Sequence, residues 1–349
     1  MAADGDSANA PGGVSVTLRF EDGVERRIVV APGQFVLDAA LAQGAPLVYQ
    51  CRSGSCSTCV ATLIEGEIAP ASGRPIALLA SEVADGRRLL CVSYAHAPSV
   101  IREHYPATLI AAAAPRIFST TLSAIERPNP KVAIFKLAVE DETFAFESGQ
   151  YVRIRIPHTD EWRSYSMASA AHDLPAMTFI VKLIAGGAMS EYLLRRARAG
   201  DRLEIEGPRG AFVLRRSRGL HIFVAGGTGL APILSMLDAI RRRPGPRPPM
   251  LLSFGCSRDA EFFARDEIEL RLWWMPELRA ILSAGRIEGS DDGLRRGNPV
   301  DALDAAPIDT ADASAYLCGP PAMIEAARVR LAARGVAPER IYAERFVAS

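Results

Sequence analysis

Cys51-Arg52-Ser53-Gly54-Ser55-Cys56-Ser57-Thr58-Cys59, followed well downstream by Cys91, is the stretch on which the reading of this chain turns. The first three thiols are spaced C-x4-C-x2-C, and a lone fourth completes the set that holds a [2Fe–2S] cluster. Two irons with two sulfides need two thiolates each, so four must converge: three from one tight loop, the fourth from elsewhere. The residues between them are small or flexible. The backbone can therefore wrap a cluster and aim N–H groups at its sulfurs, which tunes the potential. Ordinary buried thiols are the plain alternative, but a core strand or helix would not stack three of them in a Gly/Ser loop. A zinc site usually pairs two C-x2-C halves or includes His, and no His lies within this loop. Cys51, Cys56, Cys59 and Cys91 are thus the expected metal ligands.

Working outward, 349 residues are too many for one ordinary domain, and two or three are expected. Hydrophobic residues make up 49%, enough for several cores. The formal net charge is zero, so composition gives no support for binding nucleic acid or a membrane surface. The positive charge is almost all Arg, with Lys only at Lys131, Lys136 and Lys182. The N-terminus lacks the basic and apolar regions of a signal peptide, and no apolar run is long enough to span a bilayer. Cys256 and Cys318 stand alone, which does not suggest a disulfide framework. A cytoplasmic protein is expected.

Five segments are expected: a flexible N-terminus (1–13), a cluster domain (14–105), a linker (106–115), a barrel (116–216) and a dinucleotide domain (217–349). In the second, Val14, Val16, Leu18 and Phe20 alternate, and Asp22-Gly23 turns a hairpin into a strand ending at Ile28 and Val30. Phe35 to Ala42 reads as a short helix stopped by Gly44, and Val60 to Ile64 as a strand after the cysteine loop. This order resembles the β-grasp of plant-type ferredoxins. The Ala-rich linker is either a swivel or an ordered connection. Residues 116–216 are strand-like, with strands at Gln150–Ile156, Thr178–Leu183 and Arg202–Glu206. One helix is expected there, Glu191–Ala199, capped by Ser190 and ended by Gly200; this suggests a small antiparallel barrel. From Leu220 onward strands and helices alternate. His221–Ala225, Met250–Gly255 and Ala315–Cys318 are strands, and Pro232–Arg241 is a helix with Pro at its first position, followed by an Arg/Pro/Gly loop from Arg241 to Arg247. That alternation implies a Rossmann-like parallel sheet with helices on both faces. The fold class is multidomain, α+β and α/β.

The barrel carries Arg163-Ser164-Tyr165-Ser166 and then Gly186-Gly187-Ala188-Met189-Ser190 at a helix start. A helix N-terminus is a natural pyrophosphate site, and glycines let the backbone approach. Arg163 can neutralise a phosphate, Tyr165 offers an aromatic face, and Ser166 a hydroxyl. Together and in this order the motifs resemble the FAD-binding domain of the ferredoxin–NADP reductase superfamily. The resemblance implies FAD contacts from Arg163, Ser164, Tyr165, Ser166, Val181, Lys182, Gly187, Ala188, Met189 and Ser190. Ala188 departs from it, since relatives commonly carry Lys or Arg there.

Strand His221–Ala225 runs into Gly226-Gly227-Thr228-Gly229-Leu230-Ala231-Pro232, in the strand–loop–helix setting a dinucleotide loop needs. Pro232 takes the place of the last glycine of the G-x-G-x-x-G pattern, and the run looks instead like the pyridine-nucleotide loop of the same superfamily. Leu317-Cys318-Gly319-Pro320-Pro321-Ala322-Met323 again leaves a strand for a helix. The resemblance places Gly227, Thr228, Gly229, Pro232, Cys318, Gly319, Pro320 and Met323 around the nicotinamide coenzyme. It places Phe346 against the flavin and Glu344 near the reacting centre, with Ser166, Cys318 and Glu344 as the catalytic set. Arg258 beside Asp259 leaves NADH or NADPH open from the residues; the family points to NADH.

Ferredoxin, FAD and NAD segments in this order resemble the reductase components of bacterial multicomponent oxygenases. Gly207-Pro208-Arg209-Gly210-Ala211-Phe212 and Asn298-Pro299-Val300-Asp301-Ala302-Leu303 look most like the reductases of soluble di-iron monooxygenases, with Rieske dioxygenase reductases next. The family implies a monomer that carries electrons from NADH through FAD and a [2Fe–2S] cluster to a separate oxygenase or an intermediary ferredoxin. A reductase for an iron–sulfur dehydratase in deoxysugar synthesis would share the plan. A non-enzymatic redox sensor would not need intact flavin and nicotinamide motifs.

Overall fold

The computed structural model describes residues 12–74, 76–111, 115–289, 293–306, 310 and 312–346. Most of the expected N-terminal segment (1–11) and residues 112–114 of the expected linker lie outside them. The chain divides into two compact units, Met1–Ala113 and Ala114–Ser349.

In the first unit, β1 (Val14–Arg19) and β2 (Glu25–Val30) form the antiparallel hairpin, turning at Gly23 with φ 78°. Alternation along β1 buries Val16 and Leu18 completely, each worth roughly 1.5–3 kcal/mol by removal from water. α1 (Val36–Ala42) buries Val36, Leu37, Ala39 and Ala40, spaced to give one apolar face. β3 (Val60–Glu65) follows the cysteine loop. β4 (Ile68–Pro70), α2 (Ala80–Ala84), β5 (Arg87–Leu89), β6 (Ser93–Ala95) and β7 (Ser99–Arg102) complete the unit. The main sheet has the order β2-β1-β7-β3-β5, with β7 parallel to β1, and β4 pairs with β6. α3 (Ala107–Ala111) occupies the first half of the stretch read as a linker, so that part is helical.

The second unit opens with six antiparallel strands: β8 (Arg116–Asn129), β9 (Val132–Val139), β10 (Tyr151–Arg155), β11 (Trp162–Ser166), β12 (Ala176–Lys182) and β13 (Arg202–Arg209). Their order is β11-β10-β13-β8-β9-β12. A bridge between Met167 and Phe179 brings the two edges together, so the sheet curls into a barrel around Phe135, Leu137, Val152, Ile154, Met167 and Phe179. The helix here, α4 (Ala188–Arg195), starts three residues earlier than the expected Glu191. Its N-cap is Gly187; Ser190 lies inside the first turn, where its hydroxyl accepts the Ile184 N–H at 2.9 Å. The helix ends at Arg195, before Gly200, which turns the chain toward β13 with φ 97°.

The rest is a parallel sheet: β14 (His221–Gly226), α5 (Leu230–Arg242), β15 (Met250–Arg258), α6 (Arg265–Trp274), β16 (Leu278–Arg286), β17 (Arg295–Arg296), β18 (Ser314–Gly319), α7 (Pro321–Ala333) and β19 (Ile341–Arg345). The order is β17-β16-β15-β14-β18-β19. Pro232 is the third residue of α5 rather than the first, and Arg241 and Arg242 belong to the helix end. Arg241 stacks over Trp274, 4.3 Å from the ring centroid. The chain winds one way from β14 through β15 and β16, then returns to place β18 on the other side of β14. That reversal is the switch point where α/β sheets bind ligands, at the carboxyl ends of the strands.

Candidate functional site

The cysteine loop is shaped by backbone that few residues adopt. Arg52 (φ 55°), Gly54 (φ 82°) and Ser57 (φ 59°) are all left-handed, which coils the chain so that N–H groups face inward. The Ser53 N–H points to the Cys51 Sγ and the Cys51 N–H to the Cys56 Sγ, each at 3.4 Å. The Gly54 N–H serves Cys91, which sits on a short turn, Leu90–Val92, after β5.

The four thiols associate as two pairs. Burial opposes ionisation of Cys51, but the hydroxyls of Ser53 and Ser55, the Ser53 N–H and the Cys56 thiol bring it down to about 5. Burial pushes Cys56 up. In the other pair the neighbouring Cys91 and then burial push Cys59 up, while hydrogen bonding from Cys59 holds Cys91 down. Hydrogen bonding between the two sulfurs of each pair thus groups the thiols two by two, the donor arrangement a [2Fe–2S] cluster requires.

In the second unit the residues expected around the flavin line β11 and the start of α4. Arg163, Ser164 and Tyr165 are partly buried on β11, and the Arg163 guanidinium is held at 2.6 Å by Glu161. Burial raises the Tyr165 phenol well above its ordinary value, so it stays neutral. The first intrahelical bond of α4 is Glu191 N–H to Gly187 O, 2.9 Å. The N–H groups of Ala188, Met189 and Ser190 are therefore at the helix's positive end. The Val181 side chain is in the barrel core, so its backbone is what a ligand could reach, whereas Lys182 faces out across the pleat.

The coenzyme loops meet at the switch point. Gly227–Gly229 forms a tight turn after β14, and Cys318 and Gly319 end β18 just before Pro320. They touch so closely that a Cβ on Gly229 would lie 2.3 Å from the Cys318 carbonyl oxygen, and one on Gly226 2.7 Å from the Met323 sulfur. Glycine at 229, which faces backbone, is a packing requirement, whereas at 226 the flexible Met323 side chain could give way. Asp259, at the end of β15, accepts the N–H groups of Glu288 and Gly289 at 2.9 and 2.8 Å. Its carboxylate is committed to the loop after β16, which sequence reasoning did not foresee.

Ser166, Cys318 and Glu344 converge. The Ser166 hydroxyl donates to the Glu344 carboxylate at 3.1 Å. Cys318 and Glu344 are register partners on β18 and β19. Glu344 keeps some exposed surface, yet its carboxyl lies deep among protein atoms; burial raises it to about 7 against the opposing Ser166 bond. Burial and then the Glu344 charge push the Cys318 thiol far up, so it is neutral. Phe346 follows directly, its N–H bonded to the Gly319 carbonyl at 3.0 Å. Gly210 was missed as a site residue although its motif was visible: a Cβ there would meet the Tyr151 ring at 2.9 Å and stand 3.9 Å from Glu344.

Comparison with known proteins follows this division. Residues 19–96 match the 2Fe-2S iron-sulfur cluster binding domain, 119–214 the oxidoreductase FAD-binding domain, and 223–329 the oxidoreductase NAD-binding domain. The chain is 31% identical to the anthranilate 1,2-dioxygenase electron transfer component of Acinetobacter baylyi over 96% of its own length and 98% of that protein's. It is 31% identical to the propane 2-monooxygenase reductase component of Mycolicibacterium smegmatis, covering 93% and 95% of the two chains. Among solved structures, the Amycolatopsis cytochrome P450 reductase GcoB superposes with a TM-score of 0.68 at 28% identity, over 95% of this chain and 99% of that one. The ferredoxin reductase in carbazole 1,9a-dioxygenase, at 23% identity and a TM-score of 0.67, covers 97% of this chain and 100% of that one and shares the fold.

Proposed function

Because this chain belongs to the family of iron–sulfur flavoprotein reductases, the electron-transfer components of oxygenase systems, we propose that it draws electrons from NADH and delivers them singly to a separate oxygenase component. When bound, FAD takes the hydride of NADH and releases its electrons one at a time, and the [2Fe–2S] cluster carries them on. The observation that carries this reading is the pairing of Cys51 with Cys56 and Cys59 with Cys91 on one chain with the Ser166–Glu344–Cys318 centre.

Cys51, Cys56, Cys59 and Cys91 would hold the cluster, with the N–H groups of the cysteine loop offsetting its negative charge. Arg163, Ser164, Tyr165, the backbone of Val181 and Lys182, and the Gly187–Ser190 helix start would hold FAD. With Ala188 adding no charge at the helix start, the helix N–H groups and Arg163 would carry the phosphates. Gly227, Thr228, Gly229, Pro232, Gly319, Pro320 and Met323 would seat the coenzyme. Phe346 closes the flavin side. Glu344, poised near neutrality and steadied by Ser166, holds or releases a proton beside the nicotinamide site, while the neutral, fully buried Cys318 lies next to it on β18; none acts as a nucleophile. Productive alignment is their main contribution.

Relatives from dioxygenase and monooxygenase systems match at the same 31% identity, and a P450 reductase shares the fold. The acceptor's class is thus set by its docking to this chain and not by the electron-carrying core. No helix among the described residues is long and apolar enough to cross a membrane. Steady-state assays test the reading. The flavin- and cluster-loaded protein should reduce ferricyanide and a one-electron protein acceptor with NADH. Reduction of neither would overturn it.

A further inference from the structure

On the reading above, electrons would leave where the cysteine loop reaches the surface, and the side chains around that point combine arginines with apolar groups. The exposed part of the loop carries a single charge, Arg52. Facing it is the segment before α2, held on by the Ala77 N–H to the Gly54 carbonyl and by the Ser57 hydroxyl to the Ala77 carbonyl, both 2.8 Å. That segment exposes Arg74 together with two apolar side chains, Ile76 (38%) and Leu79 (41%).

The two arginines are held near one another by the same end of α1. Arg52 pairs with Asp38, in the first turn of α1, and lies 5.6 Å from the Tyr49 ring. Arg74 lies 5.8 Å from the ring of Phe35, the N-cap of that helix. Both guanidiniums rest on aromatic faces, which fixes them before any partner arrives and reduces the entropy lost on binding. Asp38 offsets Arg52, whereas Arg74 has no ion-pair partner among the described residues. Glu82, the carboxylate of α2's first turn, is 2% exposed and adds nothing to the surface. The rim is net cationic with an apolar centre, the composition that anchors carboxylate-bearing protein surfaces.

Resting on the reading above, we propose that the surface formed by Arg52, Arg74, Ile76 and Leu79 is the docking face for the electron acceptor, and that the acceptor presents carboxylates around an apolar spot. Arg74 supplies attraction on approach; Ile76 and Leu79 supply close contact that shortens the path from the cluster.

Two redox proteins of opposite charge serve as probes: cytochrome b5, acidic, and cytochrome c, basic. Each is reduced by the NADH-fed holoprotein, with the rate of the cluster-free C59A variant subtracted. The proposal expects kcat/KM for cytochrome b5 to fall with rising salt and that for cytochrome c to rise. Arg74→Glu should lower kcat/KM for cytochrome b5 about tenfold at low salt, mainly through KM, and flatten its salt dependence. NADH-driven ferricyanide reduction and single-turnover reduction of the cluster should not change. Cytochrome b5 reduction indifferent to salt, an R74E variant that leaves both cytochromes unaffected, or slowed cluster reduction in R74E would each overturn the docking face. Failure of the wild-type protein to reduce ferricyanide with NADH would instead defeat the functional reading beneath it.

Discussion

The cysteine loop of the first unit and the Ser166–Glu344–Cys318 centre of the second handle charge in opposite ways. The loop gathers donors: N–H groups and hydroxyls from its own short run turn toward sulfur, and Cys51 falls to about 5. The centre withholds them. Glu344 has one hydrogen bond from Ser166, and burial raises it to about 7. The loop is local, whereas the bond between Ser166 and Glu344 joins residues 178 positions apart. A site built for permanent negative charge can be encoded in one stretch. A site built to balance two protonation states needs walls brought from distant strands.

The strongest challenge to that contrast is Cys59→Ala. Reduction of a one-electron protein acceptor through the cluster should vanish, with the reduced two-iron EPR signal, while stopped-flow flavin reduction by NADH stays within about twofold of wild type. Loss of flavin reduction with FAD still bound would break the separation of the two regions. Next is Gly229→Ala, whose Cβ has no room against the Cys318 carbonyl. It should raise the KM for NADH by about tenfold or more and destabilise the second unit by roughly 1–3 kcal/mol, without altering the cluster spectrum.

Glu344→Gln should slow flavin reduction about tenfold to a hundredfold. It should also remove the pH dependence of that step between about 6 and 8, where the wild-type carboxyl titrates. An unchanged pH profile would exclude Glu344 as the group that titrates. In the first unit the buried Glu103 is raised by burial to about 8 from an ordinary 4.5. Its folded form holds the proton longer than the unfolded form. The stability this contributes is full below pH 4.5 and is lost as pH rises to about 8, on the order of a few kcal/mol. Glu103→Gln should flatten that decline in urea unfolding followed through the cluster's visible bands. The smallest effect is expected from Asp259→Asn, which loosens the loop at Glu288 and Gly289. It should raise the KM for NADH by roughly twofold to fivefold, the scale of one or two weakened hydrogen bonds.

Much of this was legible in the residues. Cysteine spacing singled out four thiols that the structure brings together in two pairs, and alternation marked β1 because one of its faces is buried. Gly-Thr-Gly-x-x-Pro and Cys-Gly-Pro-Pro named two loops, but their contact, with Gly229 against Cys318, came only from strand order. The helix near Ser190 was placed too late because a capping-type hydroxyl was read as an N-cap. In the structure that hydroxyl accepts the Ile184 N–H from within the first turn, and Gly187 supplies the cap. The commitment of Asp259 to the 288–289 backbone, the close approach of the Tyr151 ring to Gly210 and the helix at Ala107–Ala111 all depend on what packs nearby, which no local pattern records.

The most direct test is an anaerobic titration of the flavin- and cluster-loaded protein with NADH, followed by absorbance and EPR. Full reduction should take about 1.5 equivalents per chain, two electrons for FAD and one for the cluster. The flavin band should bleach and the signal of a reduced two-iron centre should grow. Bleaching complete at one equivalent, with no cluster signal at any NADH concentration, would contradict the account.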